Sequence, residues 1–537
     1  MSANRYAIRR DAALESTQVI APPPEQPAAL EAPSRSVRSS RLPRSAAQHV
    51  GGLSSATTAN LWQARLANAS PHSPQRRAET LASIRKPART GLAEDWQLKT
   101  RAHYWYFPVT SGKTFDQMAA ELDGVKARGI DSIMVYPPYQ GDLNGGWLGG
   151  VPVDAGRPDP KTGSMQDFRN LVDKAHRANV GTVVYLGPQN TSVTSELFQQ
   201  AVRDRVQGRD TRATRTFRWA NTEAEKTDLG HEQLGWAYSK EAKAWYATSW
   251  GHPAVDYARQ EGVDHVAESL KPWLEAGVDG IVFDAPYVQL GATPEVKKYL
   301  MGDLPKAYGV KFRFAEGTSP EALRDEYGAL GFNAGIFGND DDNFSVIDDI
   351  RGGGATGDDL EGFLALRDQA VAKGGAAARV LVYNEDVAQH VQNGAVMIGN
   401  GVQVDILDTT GERDEANYRD WSPERRRRID RLTETAAANP ALASGADRRR
   451  LPTPSSPHHF ASLRTARAAD GKQQRVLGVY NMSGKAETVT VDLTGSGVRL
   501  GQTPRELYRG EDAPRIGANT YRIQLPAHGF AFLEVAD

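Results

Sequence analysis

The sequence predicts an α/β protein: a (β/α)8 TIM barrel with a small insertion after strand 3, a C-terminal antiparallel β-sandwich and a disordered N-terminal extension. Three observations predict it. Strand-like runs alternate with amphipathic helical segments between residues 101 and 440, as in parallel sheets. After residue 451, segments such as KAETVTVDLTG alternate at period two, which is typical of antiparallel strands. Before residue 95, both patterns are missing.

Eight strand candidates favour a closed barrel over an open sheet. They are HYWYFPV (103–109), IDSIMVYPP (130–138), GTVVYLGP (181–188), VDGIVFDAP (278–286), VKFRFAEG (310–317), FNAGIFG (332–338), ARVLVYNED (378–386) and AVMIGNG (395–401). Amphipathic helices are predicted between several of them, at 114–129, 165–180 and 263–277.

The flanking segments set the domain boundaries. Residues 1–95 are predicted as a disordered leader, with one short helix around 59–67 allowed, because their Ala/Ser/Pro/Arg/Gln composition cannot bury enough apolar surface. That composition resembles the leaders of type III-secreted bacterial effectors, which would place the protein outside the bacterium or in a host cell. An ordinary disordered extension of a bacterial cytoplasmic protein is the alternative. The barrel is expected over 101–440 and the sandwich over 451–537.

The chain after the third strand, about residues 189–250, is far longer than an ordinary βα loop and predicts an inserted subdomain over the barrel mouth. Its tryptophans could stack on sugar rings, as could Trp147 in the GGW turn, although packing roles are the alternative.

Composition excludes several classes of protein. Lys plus Arg is 64 against 66 Asp plus Glu, a formal charge of −2, so a general nucleic-acid binder is not expected. The chain has no cysteine, which removes disulfides, cysteine-ligated zinc and thiol catalysis. No uncharged apolar run approaches the roughly 18 residues of a membrane helix.

Carboxylates end three of the predicted strands: Asp284 on the fourth, Glu316 on the fifth and Asp386 on the seventh. Catalytic residues of TIM barrels come from this edge. Strand parity points Asp284 and Glu316 inward from neighbouring strands, at a spacing that suits the roughly 5–5.5 Å of retaining glycosidases. An isolated acid at a strand end can instead be a helix cap.

These motifs resemble the α-amylase superfamily, glycoside hydrolase family 13 and its relatives. The resemblance covers residues 101–537 and is carried by PDPKTGSMQDFRNLVDKAHRANV (158–180), HPAVDYARQEGVDHVAESLKPWLEAGVDGIVFDA (252–285), FRFAEG (312–317) and YNED (383–386). It implies that Asp284 is the nucleophile, Glu316 the general acid/base and Asp386 a third acid that holds substrate hydroxyls. The expected partner is a carbohydrate, with host-cell components added if the protein is secreted.

Departures from the family pattern surround these acids. Tyr185, Gln189 and Asn190 replace the motif after the third strand, and Glu385 replaces the histidine before Asp386. Val282 stands where the family has an arginine, which removes a cation beside the nucleophile. The sequence therefore predicts a non-standard sugar subsite, and its candidate substrate-binding residues are Tyr185, Gln189, Asn190, Asn384, Glu385 and Trp147.

No cofactor and no catalytic metal are expected. The acidic run NDDDN (339–343) could be a calcium loop, a sugar-hydroxyl binder or a solvated turn, and its spacing does not match an EF-hand. The leading hypothesis is a retaining glycoside hydrolase or transglycosylase acting on an α-linked sugar. The alternatives are a catalytically decayed sugar-binding protein and an effector that acts on a host protein through its surface.

Overall fold

The computed structural model describes residues 74–143, 149–318, 322–337, 349–350, 352, 354–372, 377–381, 383–408, 417–468 and 470–536. Trp147, the acidic run at 339–343 and the helix expected around 59–67 lie outside the described residues. In the described part of the chain, no helix is long and apolar enough to cross a membrane.

Eight parallel strands close into a barrel in which each strand pairs with its neighbour along the chain and the last pairs with the first. The strands are β1 (Ala102–Tyr106), β2 (Ser132–Val135), β3 (Gly181–Leu186), β4 (Gly280–Phe283), β5 (Phe312–Ala315), β6 (Ala334–Phe337), β7 (Ala377–Leu381) and β8 (Gln403–Asp408). This confirms the predicted TIM barrel.

Helices cover the outside of the barrel. The helices of at least ten residues on the barrel and its flanks are Pro74–Ser83, Phe115–Ala127, Met165–Arg177, Gln260–Glu275, Gly357–Ala372, Val387–Gly399 and Pro423–Ala438. Thr114 and Ser164 begin two of them with reciprocal capping boxes, which satisfy backbone N–H groups that a helix start leaves unpaired.

The eighth strand lies elsewhere than predicted. AVMIGNG (395–401) belongs mostly to the helix Val387–Gly399, and β8 follows at Gln403–Asp408. Every residue from Gln389 to Gly399 is buried, because this helix packs between the barrel and the C-terminal sheet. Because this helix has no long solvent-exposed face, its apolar end at residues 395–399 shows no helical period and resembles a buried strand.

The insertion after β3 forms a small sheet with helices. Its helices are Glu196–Val206 and Arg212–Thr216, and its strands are Trp219–Ala220, Leu234–Ser239, Ala244–Ser249 and His252–Pro253. The returning chain pairs with the departing chain through Asn190 and Ala254, so the insertion ends a few residues beyond the predicted position 250.

The C-terminal region consists of antiparallel sheets around their own apolar core. A six-stranded sheet contains Asp447–Leu451, His459–Arg467, Gln473–Asn481, Gly529–Glu534, Arg505–Glu506 and Glu511–Asp512, and a two-stranded sheet pairs Glu487–Asp492 with Thr520–Leu525. The predicted sandwich is confirmed, and it begins four residues earlier than expected, at Asp447.

Residues 74–95 differ from the predicted disordered leader. They contain the helix Pro74–Ser83, and Arg89 donates from Nε to the fully buried Asp279 at 2.8 Å. Trp96 follows, and its ring packs inside the barrel against Phe312. The same ring also lies close to Gly181, where a side-chain Cβ would be only 2.0 Å from it. The composition of residues 74–95 predicted disorder because only a few of their side chains reach the core.

Candidate active site

Asp284 and Glu316 stand side by side at the carboxyl ends of β4 and β5. Phe283 and Ala315, the residues just before them, are partners in the parallel register. The Asp284 N–H donates to the carbonyl of Leu186 at 3.0 Å, and the Glu316 N–H donates to that of Phe283 at 3.3 Å. Since neighbouring strands lie about 4.8 Å apart, the two carboxylates begin from adjacent backbone positions at one edge of the barrel.

The Asp284 carboxylate has a defined set of neighbours. Gln189 donates from Nε2 to Asp284 Oδ2 at 2.8 Å. The backbone of Gly187 also lies next to this oxygen. A side-chain Cβ at position 187 would be 3.1 Å from Asp284 Oδ2 and 3.4 Å from the Tyr139 hydroxyl. One oxygen of the candidate nucleophile is therefore held by a neutral donor.

Two buried tyrosines lie beneath both acids. The rings of Tyr136 and Tyr185 meet edge to face with centroids 4.4 Å apart. Burial raises the pKa of each hydroxyl well above its usual value, and the negative charges of Asp284 and Glu316 raise the pKa of both further. Both tyrosines therefore lie close enough to both acids for the two negative charges to act on their hydroxyls.

After burial, the charge of Glu316 is the largest influence that raises the pKa of the Tyr185 hydroxyl. Its side chain is only 3 % exposed and belongs to the apolar cluster inside the barrel, together with Val282 and Phe314. The sequence predicted Tyr185 as a substrate-binding residue, whereas the structure buries its side chain in the barrel interior, near Glu316. Val282 is buried in the same cluster, so the position where the family has arginine supplies no charge.

The backbone turns sharply after Asp284. Ala285 has a φ of 38°, which is unusual for a residue with a Cβ, and its N–H lies 3.4 Å from Glu316 Oε2. Such conformations cost of order 1–3 kcal/mol and are found preferentially at functional sites. Here the turn directs a backbone donor at the candidate acid/base.

The other predicted binding residues are placed differently. Asn190 is buried and donates from Nδ2 to the carbonyl of Ser249, so it anchors the insertion and does not join the acids. Asp386 is exposed and caps the helix Val387–Gly399 by accepting from the Gln389 N–H at 2.8 Å. Asn384 accepts from the Asp386 N–H, and Glu385 is exposed with its carbonyl bonded by Arg425.

Two residues of the site escaped sequence reasoning. Tyr136 and Tyr139 come from the segment VYPPY after β2 and lie close enough for the charge of Asp284 to raise the pKa of each. Aromatic residues at a strand end look like ordinary core, so only their position opposite the β4 acid could have indicated a role.

A metal site is not formed by the residues that the structure describes, since no three His, Asp or Glu side chains cluster suitably among them. The acidic run at 339–343, read as a calcium loop, a sugar-hydroxyl binder or a solvated turn, lies outside these residues.

Comparisons with known proteins agree with this architecture. Residues 451–532 match the family described as Maltogenic Amylase, C-terminal domain. The trehalose synthase/amylase TreS of Mycobacterium tuberculosis (strain ATCC 25618 / H37Rv) is 27% identical over 176 residues, which are 31% of this chain and 28% of that protein. The trehalose synthase of Thermus thermophilus is 24% identical over 213 residues, 36% of this chain and 21% of that protein. The chain thus spans less than a third of the length of these curated relatives.

Solved structures resemble the whole fold. Eubacterium rectale Amy13B superposes with a TM-score of 0.63 at 14% identity, covering 86% of this chain and 98% of that one. The α-amylase from Geobacillus thermoleovorans, in complex with acarbose, gives 0.61 at 14% identity over 82% of this chain and 99% of that one. At these identities the likeness shows the fold.

A closed barrel with neighbouring acids on β4 and β5 and an appended sandwich defines the α-amylase class of folds. The matching C-terminal domain and the trehalose synthase relatives make parts of the chain similar to proteins of the α-amylase superfamily.

Proposed function

We propose that the protein is a retaining glycoside hydrolase or transglycosylase that acts on an α-linked sugar or oligosaccharide. The observation that carries the proposal is the pairing of Asp284 and Glu316 as register neighbours over the same two tyrosines. Retaining glycosidases need two carboxyl groups roughly 5–5.5 Å apart on one sugar carbon. Relatives named trehalose synthase, cyclomaltodextrin glucanotransferase and α-amylase support α-linked glucosides as the substrate class.

The reaction runs in two steps. Ionised Asp284 attacks the anomeric carbon while Glu316 gives its proton to the leaving oxygen, which forms a covalent glycosyl-enzyme and releases the first product. Glu316 then takes a proton from water or a sugar hydroxyl, which attacks the same carbon and frees Asp284. The first acceptor makes the protein a hydrolase and the second a transglycosylase. The mechanism requires no cofactor.

Asp386 is proposed to complete the acid set by binding substrate hydroxyls from the rim of the same barrel edge. Its carboxylate is exposed while it caps a helix. The variant Asp386→Asn keeps a good capping residue, so an effect on turnover without an effect on stability would report a contact with sugar.

Purified wild type should be compared with Asp284→Asn and Glu316→Gln on a panel that includes maltose, trehalose, sucrose and maltooligosaccharides. We expect turnover of at least one α-linked substrate, with a loss of about 10³-fold or more in either variant, because each removes a group that acts on the reacting atoms. Turnover that is equal in all three proteins would contradict the assignment.

A second function, sugar binding without turnover, is favoured by the apolar Val282 in place of a cation. Saturable binding of an oligosaccharide by wild type, with no product after long incubation, would select it.

Export through a type III system is proposed from the composition of the leader alone. Fusing residues 1–73 to a reporter enzyme and measuring its type III-dependent release tests this; retention of the fusion in the cell would contradict it.

A further inference from the structure

We propose that Gln189 is the positioning residue for the nucleophile: it holds Oδ2 of Asp284 and leaves the other carboxylate oxygen to attack. The proposal rests on the glycosyl-transfer function above. It gives a specific role to a residue that replaces part of the usual motif after the third strand.

The contact is short and shielded. Gln189 Nε2 lies 2.8 Å from Asp284 Oδ2, and the glutamine side chain is only 2 % exposed. An N–H donor to a carboxylate favours its ionised form, and it does so more strongly where water is excluded. The attacking species in the first step is this ionised form.

The backbone fixes where the amide points. The Val255 N–H donates to the carbonyl of Gln189 at 3.1 Å, and the Thr191 N–H donates to that of Pro253 at 3.0 Å. Gln189 therefore lies where the insertion leaves the barrel, clamped by the returning chain. A side chain anchored in this way loses little further freedom when it holds the carboxylate.

The neutral Gln189 donor is important because the titratable groups named below supply no positive charge to Asp284. Among the residues that the structure describes, four titratable groups lie near it: Glu316 from β5, Tyr136 and Tyr139 from the segment after β2, and Tyr185 from β3. Burial raises the pKa of all three tyrosines, so they stay uncharged at neutral pH. Glu316 is the only acid among them, and the four groups include no cation.

The bonds balance in this arrangement. With Oδ2 engaged by the amide, Oδ1 of Asp284 forms the new bond to the anomeric carbon. The glycosidic C–O bond breaks, and the leaving oxygen takes its proton from Glu316. The Gln189 amide loses no proton in the step.

The chain offers a matched control. Gln289 is also a buried glutamine, 6 % exposed, in the loop that follows Asp284. Its Nε2 donates to the carbonyl of Ala285 at 3.1 Å and not to a carboxylate. In both residues Oε1 is buried without a hydrogen-bond partner in the described structure. Gln189→Met and Gln289→Met thus remove comparable amides, one with and one without a carboxylate partner.

The experiment measures two pH profiles for wild type and both variants. One is kcat/KM on a substrate found in the panel, and the other is the rate at which a cyclitol epoxide alkylates the nucleophile, located by peptide mass. In Gln189→Met we expect the acid limb of both profiles to move about one pH unit higher, with about a tenfold loss at its original midpoint, because less of the carboxylate is ionised there. In Gln289→Met we expect the limb to stay in place.

Three results overturn part of the account. Coincident acid limbs in wild type and Gln189→Met, or equal shifts in both methionine variants, overturn the positioning role. If Gln189→Met does not fold, Gln189→Glu keeps the test, since a second carboxylate of the same size should move the limb upward as well. Absence of both turnover and Asp284 alkylation in wild type would instead overturn the proposed function.

Discussion

The side chain of Tyr185 is buried inside the barrel, close enough to Glu316 for the charge of that acid to act on its hydroxyl. Burial, followed by the charges of Glu316 and Asp284, raises its pKa well above the usual value. Tyr185 therefore keeps its proton, and a neutral O–H donor beside Glu316 would favour the ionised form of that acid. This opposes the repulsion from Asp284, which favours the protonated form needed in the first step.

Removing that hydroxyl should change the pH range of the reaction. In Tyr185→Phe the ionised form of Glu316 loses a donor, so we expect the alkaline limb of kcat/KM to move about one pH unit higher. Tyr257→Phe is the control, because its hydroxyl is buried but donates to the carbonyl of Pro188. An alkaline limb that stays in place in Tyr185→Phe, or moves equally in the control, would contradict this role.

Sequence patterns located the acids at the strand ends better than they located the contacts of the residues around them. Asp284 and Glu316 follow from strand parity, which depends only on the two-residue period of a strand. Asn190 was expected beside them, but its side chain is directed to Ser249 by the returning chain of the insertion. That contact joins residues far apart in sequence, and no local pattern records it.

At the scale of elements, the segment from Pro74 to Thr100 closes the amino end of the barrel. Asp279 is fully buried just before β4 and accepts from Arg89, from the Thr182 N–H and from the His176 ring. A buried carboxylate depends on such partners, and removing a charged one typically costs 3–5 kcal/mol.

We therefore expect Arg89→Ala to lower the free energy of unfolding by about 3 kcal/mol, measured by urea denaturation. Arg212→Ala, which breaks the exposed pair with Glu268, is the control and should change it little. Deleting residues 1–90 removes Arg89 and should destabilise as the point variant does, whereas deleting 1–73 should not. Equal stability of the two truncated proteins would contradict the role of this segment.

The misplaced eighth strand belongs to the same scale. Hydrophobic periodicity locates helices with one solvent-exposed face, such as Met165–Arg177, whose buried residues recur along one side. It fails for Val387–Gly399, because the C-terminal sheet covers the side that the barrel does not. Placing the eighth strand correctly required knowledge of this tertiary contact, which the local sequence pattern does not contain.

At the scale of the whole molecule, the helix Val387–Gly399 between the barrel and the C-terminal sheet carries a buried histidine, His390. His390 is 1 % exposed, with its ring 4.7 Å from that of Trp421. Burial, together with the nearby positive charge of Arg425, lowers the pKa of His390 to about 3. In the unfolded chain the value is about 6.5, so the unfolded state binds a proton first as the pH falls.

The sign of the pH dependence follows. The stability tied to neutral His390 is complete above about pH 6.5 and is lost progressively as the pH falls from there towards 3. Between pH 7 and pH 5 this amounts to about 2 kcal/mol. We expect His390→Phe to lose less stability than wild type over that interval, by urea denaturation at each pH. Parallel losses in the two proteins would contradict the neutral, buried state of His390.

The fold as a whole was predictable because alternation of strands and helices over hundreds of residues permits few topologies. The repacked pocket was less so. The sequence shows that Val282 stands where the family has an arginine, but only the structure shows that the Gln189 amide contacts Asp284.

The most direct test of the central claim is mass spectrometry of the protein after reaction with a fluorinated α-glycosyl fluoride, which slows release of the intermediate. The account predicts a single added glycosyl unit, located by peptide mapping on Asp284 and absent in Asp284→Asn. A protein that turns over glycosides yet carries the sugar on another residue, or never carries it, would contradict the account.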